Sequence, residues 1–127
     1  MPIQLSVDHE GRKVTAVATG DITMDDIRAH LFRERDDGGL PYRELIDASK
    51  ASPVLGTADA RATVDLLRTL GNQHSLGPTA VIVPNDVSYG LVRMVEILLE
   101  GFAEIRPFRS TEIADAKEWL ETQAGSP

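Results

Sequence analysis

A chain of 127 residues with 42% hydrophobic and 26% charged residues has the size and composition of one soluble globular domain. Its 20 acidic residues outnumber the 13 basic ones, and the net charge of −7 opposes the counterion-release attraction on which nucleic-acid binding depends. The absence of cysteine excludes disulfides, thiolate catalysis and cysteine metal sites. We therefore expect a single domain over residues 1–123, a flexible tail at 124–127, and no nucleic-acid partner.

The first 13 residues, MPIQLSVDHEGRK, lack the charged start and apolar run of a signal peptide. No window approaches the roughly 18 apolar residues that a membrane span needs. These two features predict a cytoplasmic protein without a membrane span.

The N-terminal part of the chain alternates apolar and polar residues on either side of a turn at Glu10-Gly11. The alternating apolar positions are Ile3, Leu5, Val7, Val14, Ala16 and Ala18. A period of two predicts a β-hairpin with one covered face. Thr23, followed by two aspartates, resembles a helix cap, so we expect a helix over about residues 24–35 that ends at Gly38-Gly39.

The rest of the chain alternates strands with helices. We expect strands at about residues 42–47, 80–83 and 104–108. Helices are expected from 57 to about 71–74, from 87 to 101, and from an N-cap at Ser110 to about Gln123. The order ββαβαβαβα predicts an α/β domain with a mixed β-sheet, in which an initial hairpin is followed by parallel strands with about four helices packed on them.

The segment 72–79, NQHSLGPT, comes within one residue of the G-x-S-x-G signature that presents the nucleophile of serine hydrolases. In those enzymes the serine follows a strand and precedes a helix, whereas Ser75 follows a predicted helix and precedes a strand. Gln73 also stands where the first glycine belongs. We therefore predict a loop here, no catalytic residues, and a protein that is not an enzyme by this motif.

Metal and cofactor motifs are weak. His9, His30 and His74 have no ligand-like spacing, and the acids of segment 33–37, RERDD, are interleaved with arginines. This segment is typical of a solvated charged face. Gly38-Gly39 lacks the lysine of a phosphate-binding loop. We expect no metal and no cofactor.

Residues that follow parallel strands meet at one edge of the sheet, where open α/β folds usually bind ligands and partners. The candidate partner edge comprises Asp47, Ser49, Thr57, Asn85, Asp86 and Arg109. Helix N-termini at the same edge favour an anion, including a phosphorylated hydroxyl. Thr23, Thr57 and Ser110 are equally typical of helix caps.

The third predicted helix, VSYGLVRMVEILLEGF, is apolar around most of its circumference, far beyond the stripe of about 100° that faces a single core. Three explanations stay open: a helix packed between sheet and neighbouring helix, a dimer or partner surface, or the wall of an apolar ligand cavity. The candidate ligand or dimer surface comprises Tyr89, Arg93, Met94 and Leu98.

The succession TAVATGDITMDDI, YRELIDAS, AVIVPNDVSYGLVRMVEIL and EIRPFRSTEIADAKEWL resembles small bacterial STAS-like proteins of the anti-sigma-factor-antagonist type. The resemblance implies a mixed sheet of four or five strands with packed helices, no chemistry, and a role in binding proteins or small ligands. The architecture is shared with the related CRAL-TRIO lipid-binding proteins. In the regulatory members a serine is phosphorylated within a D-S-S-G-L-like segment, and this chain departs there with SPVLGT at 52–57.

Two hypotheses follow for function. The first is a non-enzymatic regulatory domain that binds a protein partner at the candidate partner edge, or associates with itself through the helix at 87–102, with Ser49 and Thr57 as possible phosphorylation sites. The alternative is the binding or carriage of an apolar or lipid-like molecule along the third helix.

Overall fold

The computed structural model describes residues 2–123, so the tail predicted at 124–127 lies outside the described residues. The strands are β1 (Ile3–Asp8), β2 (Lys13–Ile22), β3 (Arg43–Pro53), β4 (Thr79–Val83) and β5 (Ile105–Arg109). The helices are α1 (Met24–Asp36), α2 (Thr57–Gly71), α3 (Asp86–Leu98) and α4 (Ile113–Gln123), with a 3-10 turn at Ser110–Glu112 before α4. The predicted order of elements is confirmed.

The five strands form one mixed sheet in the order β1-β2-β3-β4-β5. β1 is antiparallel to β2, and every later pairing is parallel, which confirms the predicted fold class. In the hairpin Ile3 pairs with Ala18 and Val7 with Val14, so the alternating apolar residues share one face. The sheet ends in β1 on one side and in β5 on the other, and β5 contains Pro107, which an edge strand tolerates.

Helices cover both faces of the sheet. On the back face, Ala116 and Leu120 of α4 pack against Ala80, Ile82 and Phe108. On the opposite, front face, α1 lies over β1, and α3 lies over β4 and β5. Helix α2 packs on α1 and α3 and makes few contacts with any strand. Its position is therefore set by its two neighbouring helices rather than by the sheet.

Strand β3 is longer than predicted. It continues to Pro53, paired with Ile22 of β2, and therefore includes Ser49 and Ser52, which lie beyond the predicted strand end at residue 47. The pairing shifts register between Val17 and Thr19, where β3 carries one extra residue. Pairing with a long neighbouring strand thus overrides the turn-like local composition.

Two of the predicted helix caps are wrong. Gly56, not Thr57, is the N-cap of α2, and its N–H donates to the Asp59 carboxylate at 2.8 Å. Likewise Ser110 lies inside the 3-10 turn, and the N–H of Arg109 before it donates to Glu112 at 2.7 Å. In both turns an acid three residues after the cap supplies the acceptor that a hydroxyl was expected to supply.

The caps of α1 and α3 are polar side chains. Thr23 accepts a hydrogen bond from the Asp26 N–H at 3.3 Å, as predicted, and the side chain of Asn85 accepts one from the Ser88 N–H at 2.9 Å. Asn85 therefore has a structural role at the candidate partner edge.

The loop that resembles a nucleophile elbow precedes β4 and lies at the edge where the parallel strands begin. Ser75 is exposed there. The N–H of Gly77 donates to the Leu40 carbonyl at 2.7 Å, and a Cβ at Gly77 would lie 2.1 Å from the Tyr42 carbonyl oxygen. Close backbone approach, rather than catalysis, therefore requires this glycine.

Gly77→Ala is expected to lower the free energy of unfolding by about 1–3 kcal/mol, because the added methyl group meets backbone that must move. Gly90→Ala is the matched control: no atom lies within 4 Å of its Cβ position, and it is expected to raise stability by about 0.5–1 kcal/mol in the helix interior. Urea unfolding of both variants measures the difference, and equal midpoints would contradict the packing assignment.

Asn85→Ala is expected to lower the free energy of unfolding by about 1 kcal/mol, since the N-cap bond of α3 is lost. Thr57→Ala, at a helix start whose cap is Gly56, is expected to change it by less than about 0.5 kcal/mol. Thermal unfolding monitored by circular dichroism tests the pair, and a larger loss for Thr57→Ala would contradict the cap assignment.

Candidate functional site

A cavity of about 210 Å³ lies between the front face of the sheet and helices α1, α2 and α3. Its floor includes Ile46, Ala48 and Val81 from the central strands. Leu67 of α2 and Val92 of α3 contribute to the opposite wall. The lining is predominantly apolar, so the cavity suits a hydrophobic molecule better than ordered water.

The cavity follows from the position of α2 and from the small residues beneath it. Helix α2 rests on α1 and α3, and its buried apolar side chains, Ala60, Val64 and Leu70, cluster with residues outside β2, β3 and β4. Ala18, Ala48 and Ala51 face this space from β2 and β3, where larger side chains would occupy it. The front face is therefore incompletely filled at its centre.

One end of the cavity carries a buried polar cluster, formed by His30 and Glu34 of α1 and Glu44 of β3. The three side chains are only 4–5% exposed. His30 Nε2 lies 2.9 Å from Glu44 Oε2 and 3.6 Å from Glu34 Oε2. His30 Nδ1 and Glu34 Oε2 are buried without a hydrogen-bond partner.

Local structure brings the cluster together. Positions 30 and 34 are one helical turn apart and share a face of α1. Glu44 lies on the central strand β3, between Val14 of β2 and Thr79 of β4. Gly39 leaves room for Val14 and Glu34, because a Cβ there would lie 2.9 Å from Val14 Cγ2 and 3.3 Å from Glu34 Cγ. The result is a three-residue polar site inside an apolar interior.

Burial dominates the protonation of this cluster. Burial, with the Glu44 carboxyl beside it, raises the pKa of Glu34 far above its ordinary value. Burial also raises the pKa of Glu44, and it lowers the pKa of His30. Each group is therefore biased towards its neutral form, as expected for ionisable groups in an apolar interior.

The residues of the candidate partner edge are held by different contacts. Arg109 forms an ion pair with Asp86 and lies 4.3 Å from the centre of the Tyr89 ring, so these three residues come together. The Ser49 hydroxyl donates to Asp47 at 2.7 Å within β3. Thr57 is exposed in the first turn of α2.

The residues of the candidate ligand or dimer surface do not line the cavity. Tyr89 is half-buried and packs with Arg109, while Arg93 donates to Glu96 at 2.6 Å. Met94 packs among the apolar residues between α2 and α3, and Leu98 is 40% exposed. The helix contributes to the cavity instead through Ser88, Leu91, Val92 and Val95.

The polar cluster was not predicted from the sequence. The three histidines lack ligand-like spacing among themselves, and segment 33–37 was expected to be a solvated face, which is wrong for Glu34 because that residue is buried. The usable signal was a histidine and a glutamate four residues apart on a helix, with a further glutamate beside the apolar residues Leu45 and Ile46 of a central strand. Only the packing of α1 on the sheet joins them.

Within residues 2–123, no helix combines the length and hydrophobicity that crossing a bilayer requires. Comparison of the sequence with protein-family models and with curated proteins gives no match.

Comparison of the structure with solved structures does give matches. One is the crystal structure of an uncharacterized protein of the DUF3478 family, with a SpoIIAA-like fold, from Shewanella loihica; the TM-score is 0.60, the identity 19%, and 93% of each chain is covered. Another is the anti-sigma factor antagonist SpoIIAA in its unphosphorylated form, with a TM-score of 0.49 and 13% identity over 91% of this chain and 97% of that chain. The chain therefore has the SpoIIAA-like fold of STAS domains, as the sequence resemblance predicted.

Proposed function

We propose that the protein binds a small apolar molecule in the cavity between α2 and the sheet. The observation that carries this proposal is the cavity itself, about 210 Å³ with mainly apolar walls. A cavity of about 150 Å³ in another protein is large enough to bind benzene, so this one has room for a ligand of one or two small rings or a short chain. The proposal develops the alternative hypothesis from the sequence and moves its site from the outer to the inner face of α3.

The energetic cost of such a space supports a binding role. Natural interiors contain few voids larger than a water molecule. The side chains that line an unfilled space of this size lose packing contacts, which destabilises the domain. A ligand that fills the space recovers part of this free energy.

The arrangement of α2 supports access for a ligand. Elements with few contacts to the central sheet open at lower free energy than the sheet itself. At its C-terminal end α2 is tied to α3 through Arg68, whose side chain donates to the Leu98 carbonyl at 2.7 Å. Because α2 takes no part in strand pairing, a movement of this helix would leave the sheet intact.

Val92→Trp is expected to weaken binding of the uncharged, two-ring fluorescent probe 1-aminonaphthalene at least about tenfold, because the larger side chain occupies the cavity. Ile97→Trp is the matched control on the same helix, since Ile97 is 53% exposed and outside the cavity, and it is expected to leave binding unchanged. A fluorescence titration measures both. Equal affinities for the two variants, or no probe binding by the unmodified protein, would contradict the proposal.

A second candidate function, association with a protein partner or with a second copy of the chain, is favoured by exposed apolar side chains on and after α3. Val87 is 74%, Ile97 53%, Leu98 40% and Phe102 41% exposed. Val87 and Leu98 lie three turns apart on the same side of the helix. Exposed apolar residues grouped in this way are typical of interaction surfaces.

Leu98→Glu is expected to convert a dimer of the unmodified protein to monomer, because a buried charge at the interface is costly. Ala114→Glu on the exposed side of α4 is the control and is expected to leave the subunit count unchanged. Native mass spectrometry at micromolar concentration gives the subunit count. A monomeric unmodified protein would contradict self-association, and the accompanying mass would show whether a small molecule is bound.

A further inference from the structure

We infer that His30, Glu34 and Glu44 form a binding site for one divalent transition-metal ion. The three residues supply one imidazole nitrogen and two carboxylates, and one donor atom from each lies within 4.8 Å of the others. Three protein ligands of these types leave coordination positions for water or a substrate, as in zinc sites with an open position.

The spacing of the donor atoms fits coordination. Metal–ligand bonds of about 2.0–2.2 Å place neighbouring donors roughly 3.0 Å apart in an octahedral site and roughly 3.4 Å apart in a tetrahedral one. The distances from His30 Nε2 are 2.9 Å to Glu44 Oε2 and 3.6 Å to Glu34 Oε2. Small side-chain rotations would therefore bring all three atoms onto one ion.

Charge is compatible with a cation. Glu34 and Glu44 are buried, and within residues 2–123 no lysine or arginine lies within ion-pairing distance of either, so both can be ionised together only if another positive charge joins them. Ionised carboxylates in an apolar interior are strongly unfavourable unless an opposite charge compensates them. The charge of one divalent ion equals the total negative charge of two carboxylates, and the imidazole ligand is neutral.

An unpartnered atom also points to a ligand. Glu34 Oε2 has no hydrogen-bond partner although its side chain is 5% exposed and faces His30. Buried polar atoms in folded proteins nearly always have a partner, so an unpaired carboxylate oxygen beside two further donors indicates an ion that the three share.

The donor set selects the class of metal. An imidazole ligand favours zinc, copper, iron or nickel over magnesium and calcium, which prefer oxygen ligands. Because all three residues line the cavity, the open coordination positions would face it. The ion would then contact a polar group of a bound molecule, but the metal site does not depend on such a molecule.

The test is a titration of the chelator-treated full-length protein with Co²⁺, followed by competition. We expect one Co²⁺ per chain with visible absorption bands, displacement by Zn²⁺, and no displacement by millimolar Mg²⁺. Glu34→Gln and Glu44→Gln each remove one anionic ligand with little change in shape, and each is expected to weaken binding at least about tenfold. His74→Gln, at an exposed histidine outside the cluster, is the matched control and is expected to bind as tightly as the unmodified protein.

A second measurement uses only the unmodified protein, so its result does not depend on whether the variants fold. In the unmodified protein, paramagnetic Co²⁺ is expected to perturb the amide NMR signals of residues near His30 and Glu44 before those near His9 and His74. Absence of binding, equal binding by the glutamine variants, or perturbation centred on an exposed histidine would each overturn the proposal. No organic ligand is present in these measurements, so they succeed or fail separately from the apolar-ligand proposal.

Discussion

The position of α2 is the constraint on which the cavity of this domain depends. The helix packs on α1 and α3 rather than on the strands. A cavity of about 210 Å³ therefore lies between α2 and the centre of the sheet. Small side chains on β2 and β3 maintain that space. Protein interiors are usually close-packed. Here the centre of the front face of the sheet departs from close packing, because large side chains cover it only in part.

The buried polar cluster is the second departure from an ordinary core. A histidine and two glutamates have been placed where apolar residues of similar volume would be less costly. The cluster and the cavity are adjacent, and the same helix, α1, supplies residues to both. An apolar pocket with a few convergent polar groups at one end is the usual arrangement of small-molecule sites.

Much of the fold could be predicted from the sequence, because the periodicity of apolar residues along the chain indicates where strands and helices lie. Alternation located the hairpin, and the apolar run at 80–83 located a central strand. The extension of β3 to Pro53 could not be predicted, since it depends on pairing with β2. Nor could the cavity, because the height of α2 above the sheet is set by contacts between helices. The burial of Glu34 could not be predicted because the arginines on either side of it suggest an exposed segment, and neither Arg33 nor Arg35 is itself buried.

The edges of the sheet bear on how such a domain behaves at high concentration. A mainly parallel sheet with two open edges is a template for strand addition and fibril growth. Here Pro107 removes a backbone donor from the β5 edge. At the other edge β1 is only six residues long, with the exposed side chains of Gln4, Ser6 and Asp8. Both edge strands therefore disfavour the addition of further strands. Any ordered association of this chain would then involve its helices rather than the edges of its sheet.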